Sequence, residues 1–352
     1  MSALTRTSPI PAFDEGAAQA SRRRWAEIAK PLGSLGQLED VVVQIAGLTG
    51  EANYSLDRRA VLVLCADNGI VAQGVTQTGS EVTAIVARGI ALGKLTINHM
   101  AEVARADVVA VDMGMNVSLS LPGLLDRRIA PGTYDMTQGP AMTRAQAEAA
   151  IQMGIDLVAE KKGEGYQALC TGEVGIGNTT TSSALAAILL GREIEEVTGR
   201  GAGLSSEGLG RKIAAIARAI AVNQPDRDDA MDVLAKLGGF DIAAMCGVFL
   251  GGALYRIPVL VDGFISSVAA LCALRLRPEA KNAMLASHIS AEPAGVMLLE
   301  ALGLSPLVRA ELRVGEGTGA VAALPLLDMA YGVYRKMPTF AELEIDAYQP
   351  LT

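Results

Sequence analysis

Two glutamates of this chain stand in glycine-rich loops, where a carboxylate can serve as a general acid or base. Glu316 lies in the segment 315–320, which reads GEGTGA, and Glu173 lies in the segment 171–181, which reads TGEVGIGNTTT. Because glycine has no side chain, a substrate can come close to such a carboxylate and remove it from water, which raises its pKa toward values useful to a general base. The spacing leaves open that both glutamates only cap their loops.

The segment 171–181 also has the features of a phosphate-binding turn. It follows an apolar run at 168–170 and leads into an apolar stretch, 182–190, that is predicted to be helical. A glycine-rich turn at a helix amino terminus directs backbone N–H groups at one point, where they can bind an anion. Hydroxyl donors could come from Thr179, Thr180 and Thr181. The turn is neither a P-loop nor a Gly-x-Gly-x-x-Gly dinucleotide fingerprint, and a tight turn with a threonine cap fits it equally well.

A second glycine cluster, 199–204, precedes a stretch that contains Arg211 and Lys212. Either side chain could bring positive charge to the same anion. The helical periodicity of the stretch favours the simpler interpretation, in which both are solvated cations on a helix surface.

Other groups capable of catalysis are few. The chain has two histidines, His99 and His288, and neither has a second histidine or a carboxylate at ligand spacing, so no zinc site is predicted. The four cysteines lie far apart in apolar stretches, which predicts small core residues and no disulfide framework. They are Cys65, Cys170, Cys246 and Cys272. The catalytic base is therefore expected to be a carboxylate.

The elements that must position these loops follow an α/β pattern. Short apolar runs rich in β-branched residues, each followed by a polar or glycine-bearing turn, alternate with helical stretches. The runs are 60–66, 108–111, 168–170 and 257–261. Strands that are apolar throughout predict a mostly parallel sheet with helices on both faces. Ligands bind such folds beyond the carboxyl ends of the strands, so the loops after these runs should hold the site.

Capping residues predict where helices begin. Asp14 should cap a first helix, and Ser34 with Gln37 forms a capping-box pattern ahead of a second, so a helical hairpin should open the chain. A further capping box, formed by Thr143 and Gln146, should begin a later helix.

Composition excludes several classes of protein. Of the 352 residues, 50% are apolar, so the chain can bury a large core and is not disordered. A net charge of −8 and a single tryptophan argue against nucleic acid as a partner. No uncharged stretch reaches the roughly 20 residues of a membrane-spanning helix. The segment 1–16 has no apolar core of a signal peptide, so a soluble cytoplasmic protein without a membrane partner is expected.

The glycine loops belong to an ordered series of segments that resembles the nicotinate-nucleotide:5,6-dimethylbenzimidazole phosphoribosyltransferase family along nearly the whole chain. The segments are 31–39 (PLGSLGQLE), 66–69 (ADNG), 171–181, 199–204 (GRGAGL), 257–264 (IPVLVDGF), 287–288 (SH) and 315–320. The resemblance implies a Rossmann-like sheet in a large domain at 51–299. It also implies a small helical domain from both chain ends, 1–50 and 300–352, and a homodimer with its active site near the subunit interface.

Members of that family move the phosphoribosyl group of nicotinate mononucleotide onto an aromatic base, which gives the α-riboside 5′-phosphate of the lower nucleotide loop of cobalamin. The resemblance implies the same substrates and products here. The leaving group is a cationic pyridinium and not pyrophosphate, so neither a magnesium ion nor another cofactor is expected.

The match of motifs implies a role for each loop. Glu316 would take the N–H proton from the incoming base, and Glu173 would lie near the ribose and the departing nicotinate. The residues implied to line the phosphate are Gly175, Gly177, Asn178, Thr179, Thr180, Gly201, Gly203 and Lys212. Nearby carboxylates would stabilise an oxocarbenium-like transition state.

The sequence departs from the family pattern on the acceptor side. Asn68 stands where the family has the histidine of Asp-His-Gly, and Thr76 and Ser80 stand where a serine and a glutamine of the family line the base pocket. In the segment 292–295 (EPAG), the family's Gly-His does not follow the proline. A change of shape and hydrogen bonding in this pocket predicts an acceptor other than dimethylbenzimidazole, such as another benzimidazole, a purine or a phenol.

Two other classes of function stay open. An unrelated Rossmann-type oxidoreductase would need the dinucleotide fingerprint that the chain lacks. A non-catalytic paralogue that binds nicotinate mononucleotide in a hetero-oligomer would not need Glu316, which the chain retains together with both phosphate-side loops.

Overall fold

The computed structural model describes residues 8–348, and a six-stranded parallel sheet lies at its centre. The strands are β1 (Arg59–Ala66), β2 (Asp107–Gly114), β3 (Leu124–Asp126), β4 (Ala168–Val174), β5 (Val259–Val261) and β6 (Met284–Ala286). Their order is β3-β2-β1-β4-β5-β6, and all neighbouring strands are parallel. This is the strand order of a Rossmann fold, so the predicted fold class is confirmed.

Helices cover both faces of the sheet. They are α1 (Glu15–Glu27), α2 (Gln37–Thr49), α3 (Glu81–Ala91), α4 (Thr96–Val103), α5 (Arg144–Gly163), α6 (Asn178–Leu190), α7 (Ile194–Val197), α8 (Ser206–Asn223), α9 (Ala230–Leu237), α10 (Phe240–Leu254), α11 (Phe264–Leu276), α12 (Gly295–Leu302) and α13 (Thr318–Lys336). Short 3₁₀ helices lie at Gly69–Gln73 and Pro278–Ala283. Parallel neighbours require such crossovers, because a tight hairpin can join only antiparallel strands.

All the predicted strands are present, and the structure adds β3 and β6. Strands β1, β2, β4 and β5 coincide with the apolar runs of the sequence, although β5 begins only at Val259. Both additional strands are three-residue strands at the edges of the sheet, and neither contains a β-branched residue. So short a segment leaves no periodic signal in the sequence.

Alternate residues of the central strand β1 face two hydrophobic cores. Leu62 and Leu64 point into a core that they share with α5, α6, α10 and α11. Val61 and Val63 point into a second core, which includes residues of α1, α2, α4 and α13. A strand with helices on both faces has no solvent-facing side, and every residue of β1 is buried.

Helices from both chain ends pack together on the second face of the sheet. The ring of Trp25 in α1 lies 4.9 Å from that of Tyr334 in α13, and Arg24 donates a hydrogen bond to the backbone oxygen of Tyr334 (3.2 Å). The division into a small and a large domain stays a prediction. Residues 1–7, which belong to the segment analysed for a signal peptide, and residues 349–352 lie outside the described residues.

The predicted helix starts at Asp14 and Thr143 are confirmed. The Asp14 side chain accepts a hydrogen bond from the N–H of Ala17 (2.9 Å), and Thr143 forms the predicted reciprocal capping box with Gln146. Each side chain satisfies an N–H group that has no partner within its helix.

The predicted capping box of Ser34 and Gln37 is wrong. Helix α2 begins at Gln37, and its N-cap is Gly36, which has a φ of 53°. Glycine adopts this φ without strain. The chain therefore turns into the helix at Gly36, two residues after Ser34. The carboxylate of Glu39 accepts the N–H of Leu35 (2.9 Å) and satisfies a donor ahead of the helix.

The cysteines are buried and unpaired, as the sequence predicts. Cys65 and Cys170 belong to one core, and Cys246 and Cys272 belong to the other. Burial raises the pKa of each thiol, so these residues pack as small apolar groups. Between residues 8 and 348, no helix combines the length and the apolar character needed to cross a bilayer.

Helices α5 and α10 touch through their backbones at Gly154 and Gly247. A Cβ on Gly154 would lie 2.0 Å from the carbonyl oxygen of Ala244, and one on Gly247 would lie 2.0 Å from that of Ile151. We expect Gly154→Ala to lower the free energy of unfolding by about 1–3 kcal/mol, because the helices must move apart. Urea denaturation followed by circular dichroism measures the change.

The matched control is Gly210→Ala in the exposed part of α8, where a Cβ would meet no atom within 4 Å. Alanine is the better helix former, so this variant should be more stable by up to about 1 kcal/mol. Equal effects of the two substitutions would contradict close packing at Gly154.

Candidate functional site

The candidate site is a cavity of about 330 Å³ at the carboxyl ends of the central strands. The chain proceeds from β1 to β2 and β3 on one side, and from β4 to β5 and β6 on the other. The strand order therefore reverses between β1 and β4, which is where Rossmann folds bind ligands. Residues that follow β4, β5 and β6 form the wall together with the glycine loops at 199–204 and 315–320.

Most of the predicted site residues meet at this cavity. Those on its wall are Glu316, Glu173, Gly175, Gly177, Asn178, Thr179, Gly201 and Thr76. Those that lie behind or beside the wall are Thr180, Gly203, Lys212 and Ser80. The cavity thus brings both glutamates to the glycine turn that precedes α6.

The two glutamate loops touch through their backbones. A Cβ on Gly172 would lie 2.5 Å from the carbonyl oxygen of Glu316, and a Cβ on Gly315 would lie 2.5 Å from Oε1 of Glu173. Non-bonded atoms do not approach so closely, so a Cβ at Gly172 would push the two backbones apart, and a Cβ at Gly315 would displace the carboxylate of Glu173. Glycine at these positions therefore keeps both carboxylates beside one cavity.

Glu316 has a backbone conformation that is rare for a residue with a side chain. Its φ is 61°, and its neighbours Gly315 and Gly317 have φ values of 81° and 90°. The Oγ1 of Thr318 donates a hydrogen bond to the carbonyl oxygen of Gly315 (2.8 Å), which closes the turn at the start of α13. Backbone strain of this kind concentrates at functional sites.

The carboxyl group of Glu316 is suited to accept a proton. Its Oε2 is buried and has no hydrogen-bond partner among the described residues. Burial raises the pKa of Glu316, and the negative charge of Asp262 raises it further, whereas the N–H of Ile97 in the first turn of α4 lowers it. A carboxylate with a raised pKa is a better general base near neutral pH.

Asn178 connects Glu173 to a second buried carboxylate, Asp241. Its Nδ2 group donates to Oε2 of Glu173 and to Oδ2 of Asp241, the latter at 3.0 Å. Burial raises the pKa of Glu173 well above its usual range and that of Asp241 to about 6, while the Asn178 amide lowers both. Both N–H bonds of the amide are thus engaged, which leaves this side chain no donor for a phosphate.

Three residues of the site have no role predicted from the sequence: Asp241, Asp262 and His288. Asp241 lies in the first turn of α10, which follows two glycines. It reaches Asn178 only because α10 packs against the sheet. Asp262 and His288 line the cavity where the chain leaves β5 and β6. Their positions after strands were a signal that could have identified them.

Lys212 is buried, so the solvated position that helical periodicity alone favours is wrong, and the role implied by the family resemblance stays a prediction. Its Nζ donates to Oγ1 of Thr179 (2.9 Å) and to the carbonyl oxygen of Gly199 (3.1 Å). Burial lowers the pKa of Lys212 to about 8. Arg211 does have a solvated position, where it pairs with a glutamate one helical turn away. Lys212 therefore ties the start of α6 to the second glycine cluster from behind the cavity wall.

Helix α6 begins at Asn178, earlier than the predicted start at 182. Its N-cap is Gly177, and its first residues lie on the cavity wall, so the positive end of the helix dipole opens onto the cavity. Thr180 and Thr181 face away from it: both are buried, and the Thr181 hydroxyl donates to the backbone oxygen of Asn178 (2.9 Å).

Of the two predicted acceptor-side residues, one lies on the cavity wall and the other lies off it. Thr76 lies on the wall, and its hydroxyl donates to the backbone oxygen of Thr78 (2.8 Å). Ser80 is the N-cap residue of α3 and lies off the wall. The amide of Gln77 donates to the backbone oxygen of Gly203, which joins this loop to the second glycine cluster. In the described part of the chain, no three His, Cys, Asp or Glu side chains are grouped so as to hold a metal ion.

Comparisons with known proteins agree along nearly the whole chain. A family model described as "Phosphoribosyltransferase" matches residues 10–345. A protein of Ruminiclostridium cellulolyticum is 46% identical over 333 residues, which is 95% of each chain. One of Acetivibrio thermocellus is 47% identical over 329 residues, which is 94% of each chain. Both are named nicotinate-nucleotide–dimethylbenzimidazole phosphoribosyltransferase.

Solved structures with the same fold include CobT from Thermus thermophilus. It matches with a TM-score of 0.90 and 40% identity, over 95% of this chain and all of that one. A structure from the same organism, named as the nicotinate-nucleotide-dimethylbenzimidazole enzyme, matches with a TM-score of 0.89, 39% identity, and coverage of 95% and 99%. The similarity to these structures thus confirms the α/β fold that the strand order of the sheet also shows.

The burial of Asp241 predicts a pH-dependent stability. Its pKa is 3.8 in an unperturbed state and about 6 in the folded protein, so only the folded state holds the proton between these values. The stability that this proton contributes is lost as the pH rises through that window. Asp241→Asn removes the titration. We expect the unfolding free energy of the variant, relative to the wild type, to increase by about 2 kcal/mol between pH 4 and pH 7.

Urea denaturation at several pH values measures this difference. The control is Asp228→Asn, at an exposed carboxylate, whose difference from the wild type should stay within about 0.5 kcal/mol throughout. A difference for Asp241→Asn that does not change with pH would show that this carboxyl has no raised pKa.

Proposed function

The chain belongs to the family of nicotinate-nucleotide–dimethylbenzimidazole phosphoribosyltransferases, and on that basis we propose that it transfers the phosphoribosyl group of nicotinate mononucleotide to 5,6-dimethylbenzimidazole. It is a pentosyltransferase that acts on small molecules. The proposed products are nicotinate and an α-riboside 5′-phosphate, which serves the assembly of a cobamide nucleotide loop.

One observation above all supports this proposal: Glu316, Glu173 and the amino terminus of α6 line the same cavity. The reaction needs a group that accepts a proton, a group that faces a cationic ribose and a cradle for a phosphate. The cavity volume of about 330 Å³ lies in the range of sites that hold small-molecule ligands.

In the proposed mechanism, Glu316 is the general base. One ring nitrogen of dimethylbenzimidazole attacks C1′ of the ribose, and Glu316 takes the proton from the other ring nitrogen. The bond from C1′ to the pyridinium nitrogen breaks, its electron pair stays on that nitrogen, and neutral-ring nicotinate leaves. The raised pKa of Glu316 and the absence of a partner for its Oε2 among the described residues support this role.

Glu173 is proposed to face the ribose as the glycosidic bond breaks. The ribose then gains oxocarbenium character, which a nearby carboxylate stabilises. Burial favours the neutral form of Glu173 in the free enzyme, and the pyridinium cation of a bound donor would favour its ionised form. Asn178 holds the carboxylate in place through its amide.

The phosphate is proposed to bind at the start of α6. Gly175, Gly177 and Thr179 line the cavity there, and Gly201 lies on the same wall. Lys212 lies behind this wall, where its Nζ donates to Thr179 and to Gly199, so its positive charge would act on the phosphate through the start of α6. A bound phosphate would favour the charged form of this lysine. Since Thr180 and Gly203 lie off the wall, we assign them to the support of these loops.

The acceptor is proposed to be dimethylbenzimidazole, because the relatives carry that base in their names. Purine and phenol acceptors, an oxidoreductase and a non-catalytic paralogue are not favoured by these comparisons. Of the acceptor-side residues Asn68, Thr76 and Ser80, Thr76 lies on the cavity wall, and its neighbours Gln77 and Thr78 line the same wall, so this loop can contact the base.

We further propose a homodimer in the cytoplasm. Large apolar side chains are exposed on α4 and α13, which pack against one another: Val103 is 81% exposed and Met329 is 63% exposed. A subunit interface on this face would remove both side chains from water. The cytoplasmic location is supported by the biosynthetic role of the relatives' activity.

Replacement of Glu316 tests the base. Glu316→Gln keeps the shape of the side chain and removes its ability to take a proton, so kcat should fall by at least about a hundredfold while KM for nicotinate mononucleotide changes little. Release of nicotinate in the presence of dimethylbenzimidazole measures both constants. Glu311→Gln, an exposed glutamate of the same loop that lies off the cavity wall, should leave kcat unchanged. Full turnover by Glu316→Gln would refute the assignment.

A panel of acceptors tests the identity of the base. We expect the highest kcat/KM with 5,6-dimethylbenzimidazole, lower values with other benzimidazoles, and the lowest with adenine and phenol, since adenine has a polar pyrimidine ring in place of the dimethylated benzene ring and phenol has no ring nitrogens. A higher kcat/KM with adenine or phenol would show that the departures around Thr76 have changed the acceptor.

A further inference from the structure

Asp262 connects the end of strand β5 to the start of helix α13. Its side chain is buried, with only 4% of the residue exposed, and its Oδ1 accepts a hydrogen bond from the N–H of Ala320 (2.9 Å). Burial raises the pKa of Asp262, whereas the His288 ring and the N–H groups of Ala320, Gly263 and Gly319 lower it. The carboxylate at the end of β5 thus accepts a hydrogen bond from the first turn of α13, which lies more than fifty residues later in the sequence.

The backbone of Asp262 is itself held firmly. Its N–H donates to Oγ of Ser266 (3.1 Å) and to Oγ1 of Thr171 (3.3 Å). Thr171 belongs to β4, and its hydroxyl donates in turn to the backbone oxygen of Leu260 in β5 (3.0 Å). The position of Ala320 is therefore fixed relative to the two strands that end at the cavity.

The loop that carries Glu316 needs an anchor of this kind. Three consecutive residues, Gly315 to Gly317, have positive φ, and Glu316 among them has a Cβ, so its conformation costs about 1–3 kcal/mol and persists only if its surroundings impose it. Helix α13 begins immediately after the loop, at Thr318. Any rotation of the first turn of α13 would therefore move the carboxylate of Glu316.

His288 closes the other side of the same turn. A Cβ on Gly319 would lie 1.9 Å from the imidazole ring, so the ring lies directly against the backbone of α13. Its Nδ1 lies 3.0 Å from Oγ of Ser287, which hydrogen-bonds to the backbone oxygen of Val261. The first turn of α13 is thus held between the ends of β5 and β6.

We propose that Asp262 is a positioning residue for the reaction: by accepting the N–H of Ala320, it holds the first turn of α13 so that Glu316 keeps its strained conformation and points its carboxylate at the acceptor base. The inference rests on the proposed role of Glu316 as the base. It assigns to Asp262 no contact with either substrate, although the residue lines the cavity.

The test is a double-mutant cycle of Asp262→Asn and Glu316→Gln. Asparagine keeps the shape of the side chain but replaces one charged acceptor by an amide N–H₂, so we expect kcat to fall by about tenfold or more with KM for nicotinate mononucleotide within about twofold. In the Glu316→Gln background the same substitution should cost less than about twofold, because residues that act through one another are not additive. Asp262→Ala, which removes the acceptor entirely, should lower kcat further than Asp262→Asn.

The matched control is Asp328→Asn on the same helix. Asp328 also ties α13 to the sheet, through an ion pair with Arg59 of β1 (2.7 Å), but it lies in the middle of the helix, well beyond its first turn. This variant should be less stable than the wild type and keep its kcat. A comparable loss of kcat in Asp328→Asn would show that general loosening of α13, and not the cap at Ala320, lowers the rate.

The outcomes separate this inference from the proposed function. An active Glu316→Gln variant would overturn the proposed base. A damaged Glu316→Gln with an unaffected Asp262→Asn would overturn only the positioning role. A full additional loss in the double variant, or an effect confined to KM, would also overturn it, because Asp262 would then act on a substrate by itself.

If the Asp262 variants do not fold, amide hydrogen exchange in the unaltered enzyme tests whether Asp262 caps the first turn of α13. First-turn amides of a helix have no partner within the helix and exchange rapidly unless a cap protects them. The amide of Ala320 should exchange with solvent deuterium at least about a hundredfold more slowly than that of an exposed, uncapped first-turn residue such as Thr96 of α4. Rapid exchange at Ala320 would overturn the proposal.

Discussion

The close approach of two backbones at the end of strand β4 is the constraint on which the site depends. Gly172 meets the carbonyl oxygen of Glu316 at a distance that admits no side chain, and Gly315 lies against the carboxylate of Glu173, which a side chain there would displace. The contact joins the centre of the sheet to a loop that lies more than one hundred residues further along the chain. Because the sheet is rigid and the loop is strained, each carboxylate has little freedom, and a reaction that needs two of them benefits from that order.

Burial then sets the electrostatic character of the cavity. Glu316, Glu173 and Asp241 all have pKa values raised by desolvation, and the amide of Asn178 opposes the rise at both Glu173 and Asp241. The chain has a net charge of −8, yet this charge does not prevent binding of a phosphate, since the helix terminus of α6 and the buried Lys212 act over short distances. For phosphate binding, these nearby groups therefore matter more than the net charge of the chain.

The sequence predicts the sheet, its central strands and most of the cavity wall, because apolar strands and glycine loops leave strong local patterns. It does not predict β3 or β6, whose three residues carry no period, and it misplaces the start of α2, where Gly36 and Glu39 replace the expected cap. Asp241 and the burial of Lys212 could not be predicted either. Both result from packing between elements distant in the chain, and helical periodicity alone assigned Lys212 to solvent.

A crystal structure with bound nicotinate mononucleotide is the most direct test, because one nucleotide should occupy the space between the two glutamate loops and α6. We expect phosphate oxygens within hydrogen-bonding distance, about 2.7–3.2 Å, of backbone N–H groups at the start of α6. We also expect the C1′ atom between the carboxylates of Glu173 and Glu316. A phosphate bound away from α6, or a ribose that contacts neither glutamate, would contradict this arrangement.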